Sequence, residues 1–474
     1  MARLDLPLTN LSESDVATAL LLITQRGGEV FVEHRDSLTL RLSSSAPDAH
    51  MLGARSDRDV GAGVRFGAGG ILGYASTNVL TPQGFTDAAR VAAQSVGQAL
   101  DGAVPTTGEL SETTRVVPVH HPRRPVDAVD VETKAEALRH VAAGAWAVDP
   151  RVCDVTVTYV EVVQHVLIMR STGESHTDLR TRLRVTCRVV ARDGRDRATG
   201  FDGPGIGGGF ELFDDHPPAE IGAAAARRSL LQLGGAECRS GITTVVLGPS
   251  AGGMLVHEAC GHGLEADLVA REASVFAGTR GKRLAAPQVT IVDDPSLPAG
   301  FGSYGMDDEG RPSYRTVLID GGIQVATLTD AASATLGISP TANGRRESYA
   351  HAPLCRMSNT YLANGIGSPA AIIGDVSSGV YVARLSGGDV DPATGEFAFT
   401  ASEAFQIDGG ALVRPLRAVT LMGNSLRALE AIDAVGDDLS FTQALCGKDD
   451  QWVPISYGSP TVRIDGLTVT GTGS

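Results

Sequence analysis

The stretch "LGPSAGGMLVHEACGHGLEADL", residues Leu247 to Leu268, ends a strand-like run and opens a short helix carrying His257, Glu258 and His262. In the common metal-hydrolase pattern H-E-x-x-H the two histidines stand four apart on one helical face. Here they stand five apart. Positions four apart on an α-helix differ by about 40° in direction and positions five apart by about 140°, so a regular helix would splay these side chains. A π-bulge, or a break just before the second histidine, brings i and i+5 back together. Gly261, the residue ahead of His262, is the one most tolerant of unusual backbone angles and marks where that departure is expected. Ser250 is a candidate cap for the helix.

Two histidines and a glutamate suggest a divalent metal, zinc by ligand type, held by His257 and His262 with Glu258 beside it as general base. The same three residues also suit a helix end with no metal, since so short a pattern recurs by chance. A catalytic zinc takes three protein ligands and leaves one position open. Residue chemistry leaves the third ligand undecided among Glu265, His351, Cys355, Cys446 and the carboxylates Asp307, Asp308 and Glu309 of "MDDEG". Cys446 stands in "ALCGKDDQ", a glycine-flanked loop, whereas Cys153 and Cys187 fall inside alternating strands and read as core.

Around this stretch the chain divides by texture into an α+β fold. Residues 1–100 read as an N-terminal α+β module: a helix over "SESDVATALLLITQRGG", two short strands in "EVFVEHRDSLTLRLSS", a hairpin through Gly69-Gly70 and a helix from Thr81-Pro82. Residues 101–127 gather prolines at 105, 118, 122 and 125 and read as a linker. Residues 128–238 read as a central α+β module, in which long alternating strands meet at "STGES" between the helices "DVETKAEALRHVAAGAWAVD" and "AEIGAAAARRSLLQL". The glycine-rich "GPGIGGG" lacks the flanking strand and helix of a dinucleotide fingerprint and reads as a loop. Residues 239–474 read as a large, mainly antiparallel β domain that carries the histidine helix, with hairpin signals at Asp320-Gly321-Gly322 and Asp408-Gly409-Gly410.

Composition narrows the function classes. The 474 residues carry 40 basic and 55 acidic side chains, a formal charge of -15, which disfavours a nucleic-acid partner. No apolar run approaches the ~20 residues that cross a bilayer and the first residues lack a signal-peptide pattern, so a cytoplasmic location with no membrane partner is expected. Six scattered cysteines without a C-x-x-C pair fit reduced thiols.

Five ordered segments, "MLVHEACGHGLEAD", "FGSYGMDDEGRPS", "TANGRRESYAHAPLCRMSNTYLANG", "TASEAFQIDGGALVRPLRAVTLMGNSL" and "LCGKDDQWVPISYGSPTVRIDGLTVTG", resemble the TldD/PmbA family, and within it the metal-binding branch. The resemblance implies a zinc metallopeptidase acting on short or unfolded peptides, with one Zn2+ per active chain, His257, His262 and Cys446 as ligands, and Glu258 as catalytic base. It also implies pairing with a PmbA-type (TldE) chain of the same fold that lacks the motif. Two features depart from the family: Cys260 between the histidines, where an aliphatic residue is expected, and "VPISYGSP", which replaces a more glycine-rich version and whose Tyr457 bears on substrate range.

Asp307, Asp308, Glu309, Arg345, Arg346, Arg356 and Asn359 are candidate substrate-pocket residues, the arginines by their capacity to hold a peptide carboxylate. Besides general peptide hydrolysis, two other functions fit: an amide hydrolase that matures one modified peptide or natural product, and a non-catalytic subunit whose zinc is structural. A closed four-ligand site would favour the last, and an open position the first two.

Overall fold

The structure, a computed structural model, describes residues 28–47, 49–68, 71–97, 114–116, 119–171, 173–334 and 338–471. The helix expected over residues 12–27, the Gly69-Gly70 turn and most of the linker lie outside the described residues.

The first body is an eight-stranded sheet whose main path runs Ile71–Thr77, Ala49–Ala68, Glu29–Ala46, Val152–Arg170, Ser175–Asp193 and Thr114–Arg115. Strands from both sides of the proline-rich segment therefore share one sheet. Glu29–Ala46 is a single strand of 18 residues and not the two short ones expected. Asp36 and Ser37 look like turn formers, yet Asp36 is paired with Arg58 on one side and Val163 on the other, so central pairing overrides local preference.

Period-2 alternation divides this sheet into two faces. Val30, Val32, Val64 and Phe66 pack under the helix Pro82–Gln94, which Thr81 caps by accepting from the Gly84 amide at 3.2 Å. Leu183, Val185 and Cys187 pack under the helices Val131–Trp146 and Pro218–Gly234, the former capped by Asp130.

The opposite face carries charge and is nevertheless covered. Arg65 bonds Glu29 at 2.6 Å and also Glu309, Arg346 bonds Glu29 at 2.5 Å, and Arg180 bonds Asp178 at 2.9 Å and Asp308 at 2.6 Å. Asp307, Asp308 and Glu309 are buried to 0%, 3% and 1% exposure, so "DDEG" is not a solvated turn; it ties the sheet to the C-terminal body, with Asp308 also lining a cavity between them. Burial alone would raise the Asp308 pKa, but Arg180 and Arg346 override it and hold the carboxyl below its ordinary value. Asp307, pushed up by burial and by Glu309, accepts the amides of Glu309, Arg311 and Gly344.

The C-terminal body holds a second eight-stranded sheet and a six-stranded one, mainly antiparallel with parallel pairs such as Thr244 beside Gly379 and Asn359 beside Ser456. Both hairpin signals are realised: Gly321 and Gly322 have φ of 52° and 81°, Gly409 and Gly410 of 58° and 78°, angles that glycine adopts without a Cβ penalty. The six-stranded sheet runs Ile323–Gln324, Thr316–Asp320, Ile291–Asp293, Asn359–Leu362, Gln451–Ser459 and Ser440–Lys448, which leaves the last strand at its edge. Among the described residues no helix is long and apolar enough to cross a membrane.

Removing one partner of a buried ion pair strands the other charge, at a cost of about 3–5 kcal/mol. Asp308→Ala is therefore expected to lower stability by about that much in urea denaturation. A loss below about 1 kcal/mol would show that the knot between the two bodies is not a stabilising contact.

Candidate metal centre

Pro249–Leu255 is α-helical, Val256–Gly261 is a π-helical turn, and His262–Leu264 tightens into a 3-10 turn. The His262 amide donates to the His257 carbonyl, five residues back. That bond widens the turn by one residue and returns the second histidine to the face of the first, leaving the ring centroids 5.1 Å apart. Gly261 serves a different purpose from the one its position suggested. Its φ of -57° and ψ of -54° are ordinary, but a Cβ there would collide with the Met357 sulfur. Ser250 does not cap the helix; its hydroxyl meets that of Thr442 at 3.1 Å, and Gly248 occupies the cap position.

The third donor comes from the sheet edge. Ser440–Lys448 and Gln451–Ser459 are joined by Asp449 and Asp450 at φ of 48° and 59°, the mirror-image turn that matches strand twist. Aspartate tolerates this region better than most side chains. The register places Cys446 opposite Val453, and the fully buried Arg356 fixes the strand by donating to the Cys446 carbonyl at 2.6 Å and the Gln451 carbonyl at 3.3 Å.

Cys446 Sγ lies 3.3 Å from His257 Nε2 and 3.3 Å from His262 Nε2, and the three donor atoms fall within 4.8 Å of one another. Zinc at its usual ligand distances separates a nitrogen and a sulfur ligand by about 3.5 Å, so the donor set and its spacing fit that ion. Burial opposes ionisation of the Cys446 thiol, but His257 and His262 override it and hold the pKa well below the ordinary thiol value. Among the described residues the buried His257 Nδ1 has no hydrogen-bond partner, and Nε2 is the nitrogen aimed into the cluster.

Glu258 stands beside the donors, Oε2 3.8 Å from His262 Nε2, with its side chain 25% exposed. Glu265, a ligand candidate by type, instead accepts from the other nitrogen of His262, Nδ1, at 3.2 Å. That contact fixes the tautomer that directs Nε2 at Cys446. Lys448 bonds Glu265 at 2.9 Å and Asp267 at 2.8 Å. Burial would raise the Glu265 pKa, but His262 and Lys448 bring it down to about 2. The Glu265–Lys448–Asp267 brace was missed in the sequence, where its one signal is the i+3 spacing from His262 to Glu265.

The other candidates lie elsewhere. His351 meets Ser348 at 3.0 Å, and Cys355 donates to the Leu328 carbonyl at 3.0 Å in the core. Cys260 packs in the core with its pKa pushed up to about 12 by burial, away from the donor atoms. Arg356 and Asn359, expected in a substrate pocket, are fully buried, Asn359 donating to the Asp294 carbonyl at 2.7 Å. Arg346 is held by Glu29 and by the Asp308 carbonyl at 2.7 Å. Tyr457 leans on His257, ring centroids 6.1 Å apart, and burial pushes its phenol up to about 12.

Residues 240–471 match the family profile described as PmbA/TldA metallopeptidase C-terminal domain, and residues 124–233 match that of the central domain. The chain belongs to the PmbA/TldD metallopeptidase family. It is 38% identical over 356 residues to a protein of Haemophilus influenzae named metalloprotease TldD homolog, covering 73% of this chain and 74% of that one. A namesake from Buchnera aphidicola is 33% identical over 424 residues, 87% of each chain. A relative named zinc metalloprotease TldD homolog, from Saccharolobus solfataricus, is 29% identical over 345 residues, 72% of this chain and 76% of its own. The fold is similar to that of TldE from Thermococcus kodakarensis, with a TM-score of 0.72 at 20% identity over 94% of this chain and 97% of that one.

If the approach of Met357 is what requires Gly261, Gly261→Ala should cost about 1–3 kcal/mol, the usual range for overpacking. Most of that loss should return in Gly261→Ala with Met357→Ala when both are compared with Met357→Ala alone. Equal costs in the two backgrounds, measured by thermal unfolding, would place the constraint in the backbone instead.

Proposed function

We propose that the chain is a zinc-dependent peptidase acting on short or unfolded peptides, with His257, His262 and Cys446 as the metal ligands. The convergence of the three donors on one point carries this reading. Zinc held there would supply Lewis-acid activation of water and of the scissile carbonyl. Glu258, adjacent to the cluster and open to solvent, takes the proton from the attacking water and passes it to the departing amine. Glu265 orients His262, and Arg356 holds the Cys446 strand in register. Among the described residues the donor group contains three members, which favours an open fourth position over a closed structural site.

The edge position of Ser440–Lys448 supports binding of an extended peptide by strand addition beside Cys446. Main-chain pairing tolerates many side chains, so access would be limited by enclosure. Pairing with a PmbA/TldE-type chain lacking the motif would provide it, a reading supported by the family and by the fold likeness to a TldE. Six free cysteines agree with action in the cytoplasm.

Replacing His257, His262 or Cys446 by alanine should each lower bound zinc, while Cys153→Ala should not; full zinc occupancy in Cys446→Ala removes that ligand. Glu258→Gln should retain zinc and lose about two to four orders of magnitude in turnover. Loss of the metal in that variant would make Glu258 a ligand, and unchanged turnover would remove it from the reaction. With the partner chain present, a permanently unfolded protein should be cut and its stable folded form spared. Equal cleavage of both forms, followed by mass spectrometry, contradicts enclosure.

A further inference from the structure

Behind the Cys446 hairpin, between the first sheet and the C-terminal body, lies a cavity of about 320 Å³. One wall is the alternating row Arg180, Arg182 and Arg184, whose cross-strand partners Gln164, Val162 and Val160 complete it. Arg35, Arg345 and Arg346 also face it, against the carboxylates of Asp308 and Glu347 among the described residues.

Two of these cations are neutralised nearby, Arg180 by Asp178 and Asp308 and Arg346 by Glu29. The others lack a carboxylate partner among the described residues. Arg182 bonds the carbonyls of Phe301 at 2.8 Å and Ser303 at 3.1 Å, and Arg345 those of Met357 at 2.6 Å and Pro454 at 2.7 Å. The buried Arg184 Nε has no hydrogen-bond partner among the described residues. Burial, then Arg180 and Arg345, bring the Arg182 pKa down to about 9, and the nearby Asp178 and Asp308 only partly offset them. Buried unpaired charge is costly, and in a chain of net charge -15 this wall is an exception. Leu445 and Trp452, 50% and 56% exposed, give the cavity an apolar rim.

The cavity is linked to the metal centre by strand geometry. Leu445 and Cys446 are neighbours on the edge strand and point to opposite faces. A peptide added to that edge likewise alternates its side chains, presenting some to the Leu445 face. At the far end, Arg184 lies within electrostatic reach of Tyr457, which leans on His257.

We infer that this arginine-walled cavity receives a carboxylate of the peptide substrate, from an acidic side chain or the C-terminus, with an apolar group against Leu445 and Trp452. The inference rests on the peptidase reading and adds a preference for carboxylate-bearing peptides.

The test uses the full-length chain with the partner chain present, and one peptide in four forms: glutamate or glutamine at one position, each with a free or amidated C-terminus. Binding is followed by Trp452 fluorescence in Glu258→Gln protein, and hydrolysis of the same peptides by mass spectrometry in the wild type. At least one carboxylate form should bind about tenfold or more tightly than the fully neutral form, the usual effect of a hydrogen bond to a charged group. The glutamate and C-terminal arms identify which carboxylate is read. Arg184→Gln combined with Arg35→Gln should erase the difference while circular dichroism and zinc content stay unchanged. Equal binding of all four forms, or a preference that survives the double substitution, overturns the inference. Carboxylate-dependent binding with no hydrolysis of any form upholds the cavity and overturns the peptidase reading; hydrolysis without carboxylate preference does the reverse.

Discussion

The bond from the His262 amide to the carbonyl of His257 sets the geometry on which the site depends. With a regular four-residue bond the two imidazoles would diverge by more than a quarter turn, and Cys446 could approach only one of them. With the π turn, a single sulfur sits 3.3 Å from both Nε2 atoms. Such a turn is less favourable than a regular one and persists only where its surroundings demand it. Here Met357 presses against Gly261 from one side, and Glu265 holds His262 from the other.

The remaining donors and charges are delivered by two parts of the chain far apart in sequence. The edge hairpin supplies both Cys446 and Lys448, so the strand that brings the sulfur also neutralises the carboxylate orienting His262. Arg356 anchors that hairpin by one carbonyl of each strand, those of Cys446 and Gln451, which leaves the cysteine side chain free for the cluster. Around it, the ion pairs of Arg65, Arg180 and Arg346 hold the first sheet against the C-terminal body. The charged groups of that sheet face are thus divided between a neutralised knot and an arginine-rich cavity.

What was legible in the sequence was local and periodic. The i, i+5 histidines demanded a departure from the α-helix, and the Asp-Gly-Gly turns demanded hairpins; both are present. The choice of Cys446 came from resemblance, because no spacing rule connects a cysteine to a histidine 184 residues away. Burial of charge was illegible. "DDEG" and Arg346 look like pocket residues until the opposing body covers them, and the row Arg180, Arg182, Arg184 shows in the sequence only as one face of an alternating strand. At Gly261 the local sequence shows backbone freedom but not the sulfur of Met357 beyond it, which is what excludes a side chain there.

X-ray absorption at the zinc edge of the zinc-loaded full-length chain tests the proposed ligand set most directly. One sulfur is expected at about 2.3 Å with the remaining ligands nitrogen or oxygen at about 2.0–2.2 Å, and the sulfur should be lost in Cys446→Ser. No sulfur in the wild type, two sulfurs, or one that persists in Cys446→Ser would contradict it.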